Sequence, residues 1–130
     1  MIVLDASAII EWLLQTSTGA RVENRIFSGT PSLHAPHLLD LEVAQVVRRY
    51  VAEHVITAIR GQEALQDLAD LPLTRYPHDA LLWCVWELRN ILTAYDAAYI
   101  ALAEGLAAPL ITCDRKMAAA SGHSAVVQVV

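Results

Sequence analysis

The sequence predicts an α/β fold, a mostly parallel β-sheet with helices on both faces. Short apolar runs bounded by prolines or polar turns alternate along the chain with segments of helical periodicity. The chain has 130 residues, 55% of them hydrophobic, which suits one domain around one core. No repeat, linker or low-complexity tract interrupts it, so a single domain over residues 1–130 is expected.

Ile2-Val3-Leu4 reads as a buried strand ending at a polar turn. Ser7 is placed to cap a helix over Ala8 to Leu14. A second helix covers Gly19 to Ser28 and stops at Gly29. Leu33-His34-Ala35, between Pro31 and Pro36, makes a short second strand. From Leu39 to Glu53 the apolar residues Val43, Val46, Val47, Tyr50 and Val51 fall on one helical face. Another helix runs from about Val55 to Ala69, with Ala64, Leu65, Leu68 and Leu71 inward, and Pro72 ends it. Leu73-Thr74-Arg75 is a third strand, stopped by Pro77. His78 to Leu88 and Tyr95 to Leu106 read as helices. The second is nearly all apolar, which predicts burial on several sides. Pro109 opens a fourth strand, Leu110-Ile111-Thr112. Arg115 to Ala120 is a short helix, and Ala125 to Val129 a last strand.

Composition narrows the function. No apolar run reaches the ~18 residues that span a bilayer. The start, Met1-Ile2-Val3-Leu4-Asp5, has no basic segment of the signal-peptide kind, so a cytoplasmic protein is expected. Cys84 and Cys113 stand in no metal-ligand spacing and read as buried thiols. The net charge is −5, with a pI near 5.4. That argues against binding nucleic acid through a broad basic face. Eight of the nine basic residues are arginine, the side chain that grips phosphate bidentately. The five histidines show no ligand spacing and read as loop or surface residues. Trp12, Trp83 and Trp86 read as core or interface anchors.

Four acids carry the chemistry. Asp5 and Asp114 each stand just past an apolar strand, and Glu42 and Asp96 stand near helix starts that follow loops. In parallel α/β sheets, ligands bind beyond the carboxyl ends of the strands, so all four acids are expected on one rim. Carboxylates gathered there repel one another unless a divalent cation sits among them. Mg²⁺ or Mn²⁺ held by two or three of them and by waters suits phosphodiester hydrolysis. Asp5 and Asp96 are the expected core ligands, Asp114 binds directly or through water, and Glu42 serves a second ion or orients the attacking water. Thr112 shares a strand face with Asp114 and can support a carboxylate, and Ser7 can do the same for Asp5. Each acid also has a purely structural reading. Asp5 and Asp114 can cap helices, Thr93 and Asp96 have capping-box spacing, and Glu42 suits a helix first turn.

Leu4-Asp5-Ala6-Ser7-Ala8-Ile9-Ile10 resembles the opening motif of PIN-domain nucleases. Glu42 sits where that family has an acid on its third helix. Tyr95-Asp96-Ala97-Ala98-Tyr99-Ile100-Ala101-Leu102-Ala103 is similar to the family's central segment, and Leu110-Ile111-Thr112-Cys113-Asp114-Arg115 to its closing T-x-D motif. The resemblance runs from Ile2 to about Val129, and short bacterial members of this kind are mostly VapC toxins. It implies a PIN-domain-like, Rossmann-type three-layer sandwich with a five-stranded parallel sheet. It also implies an Mg²⁺- or Mn²⁺-dependent endoribonuclease that cuts tRNA, rRNA or mRNA, a homodimer, and a cognate antitoxin that blocks the acidic pocket. On the matching positions, Asp5, Glu42, Asp96 and Asp114 carry over as the acidic site and Thr112 as its supporting hydroxyl. Three other readings compete: an RNA-maturation nuclease, a non-catalytic protein-binding module, and an aspartyl-phosphate phosphatase. The last lacks a second acid two residues after Asp5, where Ser7 stands.

Overall fold

A computed structural model describes residues 1–130. Five strands, β1 (Ile2–Leu4), β2 (Leu33–Pro36), β3 (Leu73–Tyr76), β4 (Leu110–Thr112) and β5 (Val127–Val129), form one parallel sheet in the order β3-β2-β1-β4-β5. The predicted α/β class and its five parallel strands are both present. Seven helices connect them: α1 (Ala6–Leu13), α2 (Ser17–Phe27), α3 (Leu38–Ala52), α4 (Ala58–Asp70), α5 (Leu82–Glu87), α6 (Ala94–Leu106) and α7 (Arg115–Ala119).

The chain moves from β1 outward to β3, then crosses back over β2 and β1 to lay down β4. Right-handed crossovers in opposite directions place their helices on opposite faces. Accordingly α1 packs with α2, α3 and α4, whereas α6 packs across β1, β2 and β4 and carries α5 on its outer side. The strand order reverses between β1 and β4, and the crevice at that switch point is where such sheets take ligands. The core is one cluster, with Val3, Leu4, Leu110 and Ile111 of the sheet almost fully buried. Residues Ala97 to Ala103 of α6 are all buried, as their composition predicts.

Local details depart from the sequence reading. Asp5, not Ser7, caps α1: its carboxylate accepts the Ala8 N–H at 3.0 Å. Thr16 caps α2, which starts two residues earlier than expected. The segment from His78 to Leu88 is not one helix but a 3-10 turn (Asp79–Leu81) followed by α5. Leu81, Cys84, Val85 and Leu88 still face inward, Leu81 and Leu88 buried and Cys84 and Val85 packed partly buried against the core. Leu65 is exposed, because α4 turns Gly61, Ala64 and Leu68 inward. His34 is not a surface residue. It is buried on β2, where the Tyr76 hydroxyl lies 2.7 Å from Nδ1 and the Ser32 hydroxyl 2.8 Å from Nε2. Burial and the nearby amino terminus hold its pKa down, so the ring stays neutral at pH 7. Trp83 and Trp86 lie outside the core, 75% and 61% exposed. The two thiols are half-buried, and burial first, then nearby carboxylates, push both up to about 11.

Candidate active site

The four acids meet. Asp5, Glu42, Asp96 and Asp114 line a single pocket of about 550 Å³ at the carboxyl ends of β1 and β4. Helix capping positions two of these carboxylates, Asp5 at α1 and Asp114 at α7, whereas Thr93 rather than Asp96 caps α6 and Glu42 lies past the first turn of α3. Asp5 is buried at 3% exposure. Beyond the Ala8 N–H it accepts the Ser7 hydroxyl at 2.7 Å and the Thr112 hydroxyl. Ser7 in turn accepts the Cys113 N–H at 2.9 Å, and Thr112 accepts the Asp114 N–H at 2.9 Å. Ser7 and Thr112 thus tie the turn after β1 to the turn after β4. Asp114 caps α7 by accepting the Lys116 N–H at 2.9 Å. Asp96 stands in the first turn of α6, where its N–H donates to the Thr93 hydroxyl at 3.2 Å.

Glu42 is held by a residue that the sequence reading passed over. The buried Tyr99 hydroxyl donates to its Oε1 at 2.5 Å and bridges α6 to α3. Tyr99 stands three residues after Asp96 on the same helical face, and that spacing is the sequence signal for it. The start of α3 is fixed at a distance as well. His37 makes no side-chain cap, and the Leu38 N–H donates instead to Nε2 of His78 at 3.0 Å. Leu38, Leu41, Gln45 and Val46 of α3, with Ile10 and Tyr95, complete the lining.

The electrostatics are those of partly desolvated acids crowded together. Burial raises the Asp5 pKa, partly offset by its three hydrogen bonds and reinforced by Asp114. Burial also raises Glu42, with Asp96 and Asp5 adding to the rise and Tyr99 opposing it. Asp96 is raised by burial and by Asp114, against Lys116 and Thr93. As the side chains stand, no three of them close around one ion. The donor set still fits a hard divalent cation. All four donors are carboxylates, they share one pocket, and Mg²⁺ keeps several of its own waters rather than requiring an all-protein cage.

The comparisons with known proteins agree with this geometry. The family model described as "PIN domain" matches residues 2–122. The chain is 41% identical over 130 residues to Ribonuclease VapC12 of Mycobacterium tuberculosis, covering 100% of this chain and 99% of the relative. Among solved structures, it resembles the sarcin-ricin loop cleaving toxin VapC20 of Mycobacterium tuberculosis, at TM-score 0.68 and 14% identity, covering 97% of this chain and 98% of that one. It also resembles a chain of a toxin-antitoxin complex from Klebsiella pneumoniae, at TM-score 0.67 and 18% identity, covering 89% and 88%. With the motif order, the sheet topology and full-length identity to a VapC relative all in agreement, this chain belongs to the PIN-domain family, in its VapC branch.

Proposed function

We propose that this chain is the toxin of a type II toxin–antitoxin pair, a metal-dependent endoribonuclease whose acids are Asp5, Glu42, Asp96 and Asp114. The observation that carries the reading is the gathering of these four carboxylates, from four separated segments, into one pocket at the switch point of the sheet. VapC12, a relative across the full length of the chain, is named a ribonuclease, and the Klebsiella neighbour comes from a toxin-antitoxin complex. A pure docking module has no use for four mutually repelling acids.

Asp5, Asp96 and Asp114, with Glu42, would hold Mg²⁺ or Mn²⁺, which would lower the pKa of a water so that it could attack the phosphate and would offset the phosphate's negative charge. The protein's part is positioning. Thr112, Ser7 and the Ala8 N–H fix both oxygens of Asp5, so its carboxylate cannot swing away when charge enters the pocket. Tyr99 holds Glu42 across the groove from Asp96 and leaves its second oxygen free to orient a water. Asp114 is aimed by its own cap. Cleavage of total cellular RNA by the purified chain tests the reading. Discrete fragments in Mn²⁺ or Mg²⁺, absent in EDTA, are expected. A folded protein that cuts no RNA in either metal sinks it.

The raised carboxyl pKas give a pH dependence with a definite sign. The folded, metal-free protein takes up protons before the unfolded chain does. Its stability therefore grows as pH falls toward the ordinary carboxyl values of 3.8 and 4.5, and is lost as pH rises through the raised ones. Metal and protons compete for the same oxygens. The gain in Tm from millimolar Mg²⁺ or Mn²⁺ should accordingly be larger at pH 8 than at pH 5. At a hundred times Kd it amounts to about 2.7 kcal/mol, or roughly 10 °C for a chain of this size. Thermal melts at the two pH values check this, and an unchanged Tm at millimolar metal rules out the site.

The partners in this reading are an RNA substrate, a cognate antitoxin and a second copy of the chain. Leu82, Trp83 and Trp86 of α5 are exposed near Ile91, with the Arg89 guanidinium 4.5 Å from the Trp86 ring. Exposed tryptophans of this kind suit a homodimer contact. Trp83→Ala with Trp86→Ala should convert a sedimenting dimer to monomer without loss of helix content, and a parent that already sediments as monomer removes the dimer. No helix is long and apolar enough to cross a membrane, and we place the protein in the cytoplasm, where its RNA is.

A further inference from the structure

Four acids can cut a phosphodiester around a metal ion, but they cannot hold a polyanion. A chain of net charge −5 has few cations for that task, and most of them are engaged within the protein. Arg75 is paired with Asp40 at 2.7 Å. Arg60 serves Glu63 and the Leu13 carbonyl, and Arg25 the Gln128 side chain. Arg49 and Arg89 lie against the Tyr50 and Trp86 rings. Arg21, Arg48, Arg115 and Lys116 remain. Two of these, Arg21 of α2 and Arg115 of α7, line one cavity of about 840 Å³ together with Cys113. Neither forms a salt bridge. The acidic pocket, by contrast, has no cation in its lining.

We infer that this second cavity is a phosphate subsite, where Arg21 and Arg115 together grip a backbone phosphate of the RNA that flanks the scissile one. The inference rests on the ribonuclease reading and adds to it a contact outside the acidic pocket. Position argues for it. Asp114 lines the acidic pocket while its neighbours Cys113 and Arg115 line the other, so the turn after β4 is the wall the two cavities share. The cap that aims the Asp114 carboxylate also sets the start of α7, and with it Arg115. Arg25, one turn beyond Arg21, ties α2 to β5 through Gln128, which keeps Arg21 beside the cavity. Arg21 is near enough to the turn for its charge to oppose the rise in the Cys113 pKa. Chemistry argues for it too. A guanidinium carries five N–H donors, and Arg21 spends one, weakly, on the Thr18 hydroxyl at 3.4 Å. Two such forks, from two helices, suit the oxygens of a phosphodiester. Glu11 is the acidic side chain on the wall, and the Thr16 hydroxyl already donates to it.

Binding is separated from cleavage in the Asp5→Asn variant, titrated in Mg²⁺ with a short RNA that the parent cuts. Each phosphate of that RNA is replaced in turn by an uncharged methylphosphonate. One position beside the scissile phosphate should weaken binding about tenfold, the scale of one lost charge-assisted contact. Arg21→Gln with Arg115→Gln should weaken binding of the unmodified RNA to the same degree and lower the slope of log Kd against log salt by roughly one. In that double variant the methylphosphonate at the same position should cost nothing further. In the cleaving protein the double variant should raise KM about tenfold with kcat little changed. Glu11→Gln, which removes the acid on the wall, should tighten binding instead. Both arginines are exposed and glutamine is a good helix former, so the double variant keeps its fold, which its Tm checks. Unchanged Kd, salt slope and KM in a double variant that still cuts RNA overturn the subsite and leave the nuclease standing. So does a double variant in which every methylphosphonate position loses its effect equally, the mark of a general field rather than a contact. Inorganic phosphate bound by these arginines, with RNA kinetics indifferent to them, shows a free-anion site and overturns the RNA subsite as well. A parent that neither binds nor cuts RNA overturns both.

Discussion

Asp5→Asn is expected to lower metal-dependent RNA cleavage by about 10²–10³-fold or more, the scale of removing one preorganised electrostatic contact, while the metal-free protein stays as stable as the parent or gains. The hydrogen bonds explain why activity and stability part company. An asparagine oxygen can still accept from the Ser7 hydroxyl and the Ala8 N–H, and Asn caps a helix as well as Asp does. The new amide N–H₂ faces Thr112, whose hydroxyl can turn to accept from it and donate toward Ser7, 3.3 Å away. No buried group loses its partner, and a buried charge is removed. Asp5→Ala behaves differently, because it strands the Ala8 N–H and two hydroxyls at a buried position. It should cost about 1–3 kcal/mol of stability as well as activity. Parallel cleavage assays and metal-free melts of the two variants check the pair of effects. Full metal-dependent cleavage by Asp5→Asn would falsify the site.

Gly19→Ala is expected to be the most destabilising small substitution in the chain, by about 3 kcal/mol or more, at the upper end of overpacking costs. Gly19 lies near the start of α2, where its N–H donates to the Thr16 hydroxyl that caps the helix, at 2.9 Å. A Cβ there would meet the Glu11 carbonyl oxygen at 2.1 Å and its carbon at 2.7 Å. Both are backbone atoms of α1, and a backbone cannot rotate aside as a side chain can. The two helices would have to move apart, and α1 is capped by Asp5, so the strain runs toward the site. Gly61 makes the contrast. A Cβ there meets Val51 Cγ2 at 2.9 Å and Val47 Cγ1 at 3.2 Å, both side-chain methyls able to shift. Gly61→Ala should therefore cost clearly less, with alanine's better helix propensity offsetting part of it. Denaturant unfolding of the two variants decides the matter, and equal losses would show that the α1–α2 approach is softer than its backbone contacts imply.

How much of this was legible in the sequence depends on how far each determinant lies from the residue it serves. The strands were legible because apolar runs of three or four residues between turn signals leave few alternatives. The acids were legible because each follows such a run or opens a helix, and the fold puts those points on one rim. Tyr99 and His78 were not, since they act on Glu42 and Leu38 from 57 and 40 residues away, and no local pattern encodes such a partnership. The burial of His34 was hidden for the same reason: its partner Tyr76 belongs to another strand. The break between the 3-10 turn and α5 was missed because Leu81-Leu82-Trp83 reads as apolar, whereas only Leu81 turns inward.

The sheet order has a temporal consequence. Asp5 is made well before its Thr112 hydroxyl partner, which lies 107 positions later, on a strand that must insert beside β1 after β2, β3 and the helices between them exist. Asp114 follows that strand. A growing chain that carries Asp5, Glu42 and Asp96 but not β4 leaves β1 with β2 alone as neighbour and the pocket without Asp114. At ordinary rates of synthesis, about 5–20 residues per second, the stretch from Asp5 to Thr112 takes seconds to make. The acidic pocket is therefore complete only once β4 and Asp114 are in place. An enzyme built in this order holds no complete site until its last acid is added, and from that moment it is already a target for whatever restrains it.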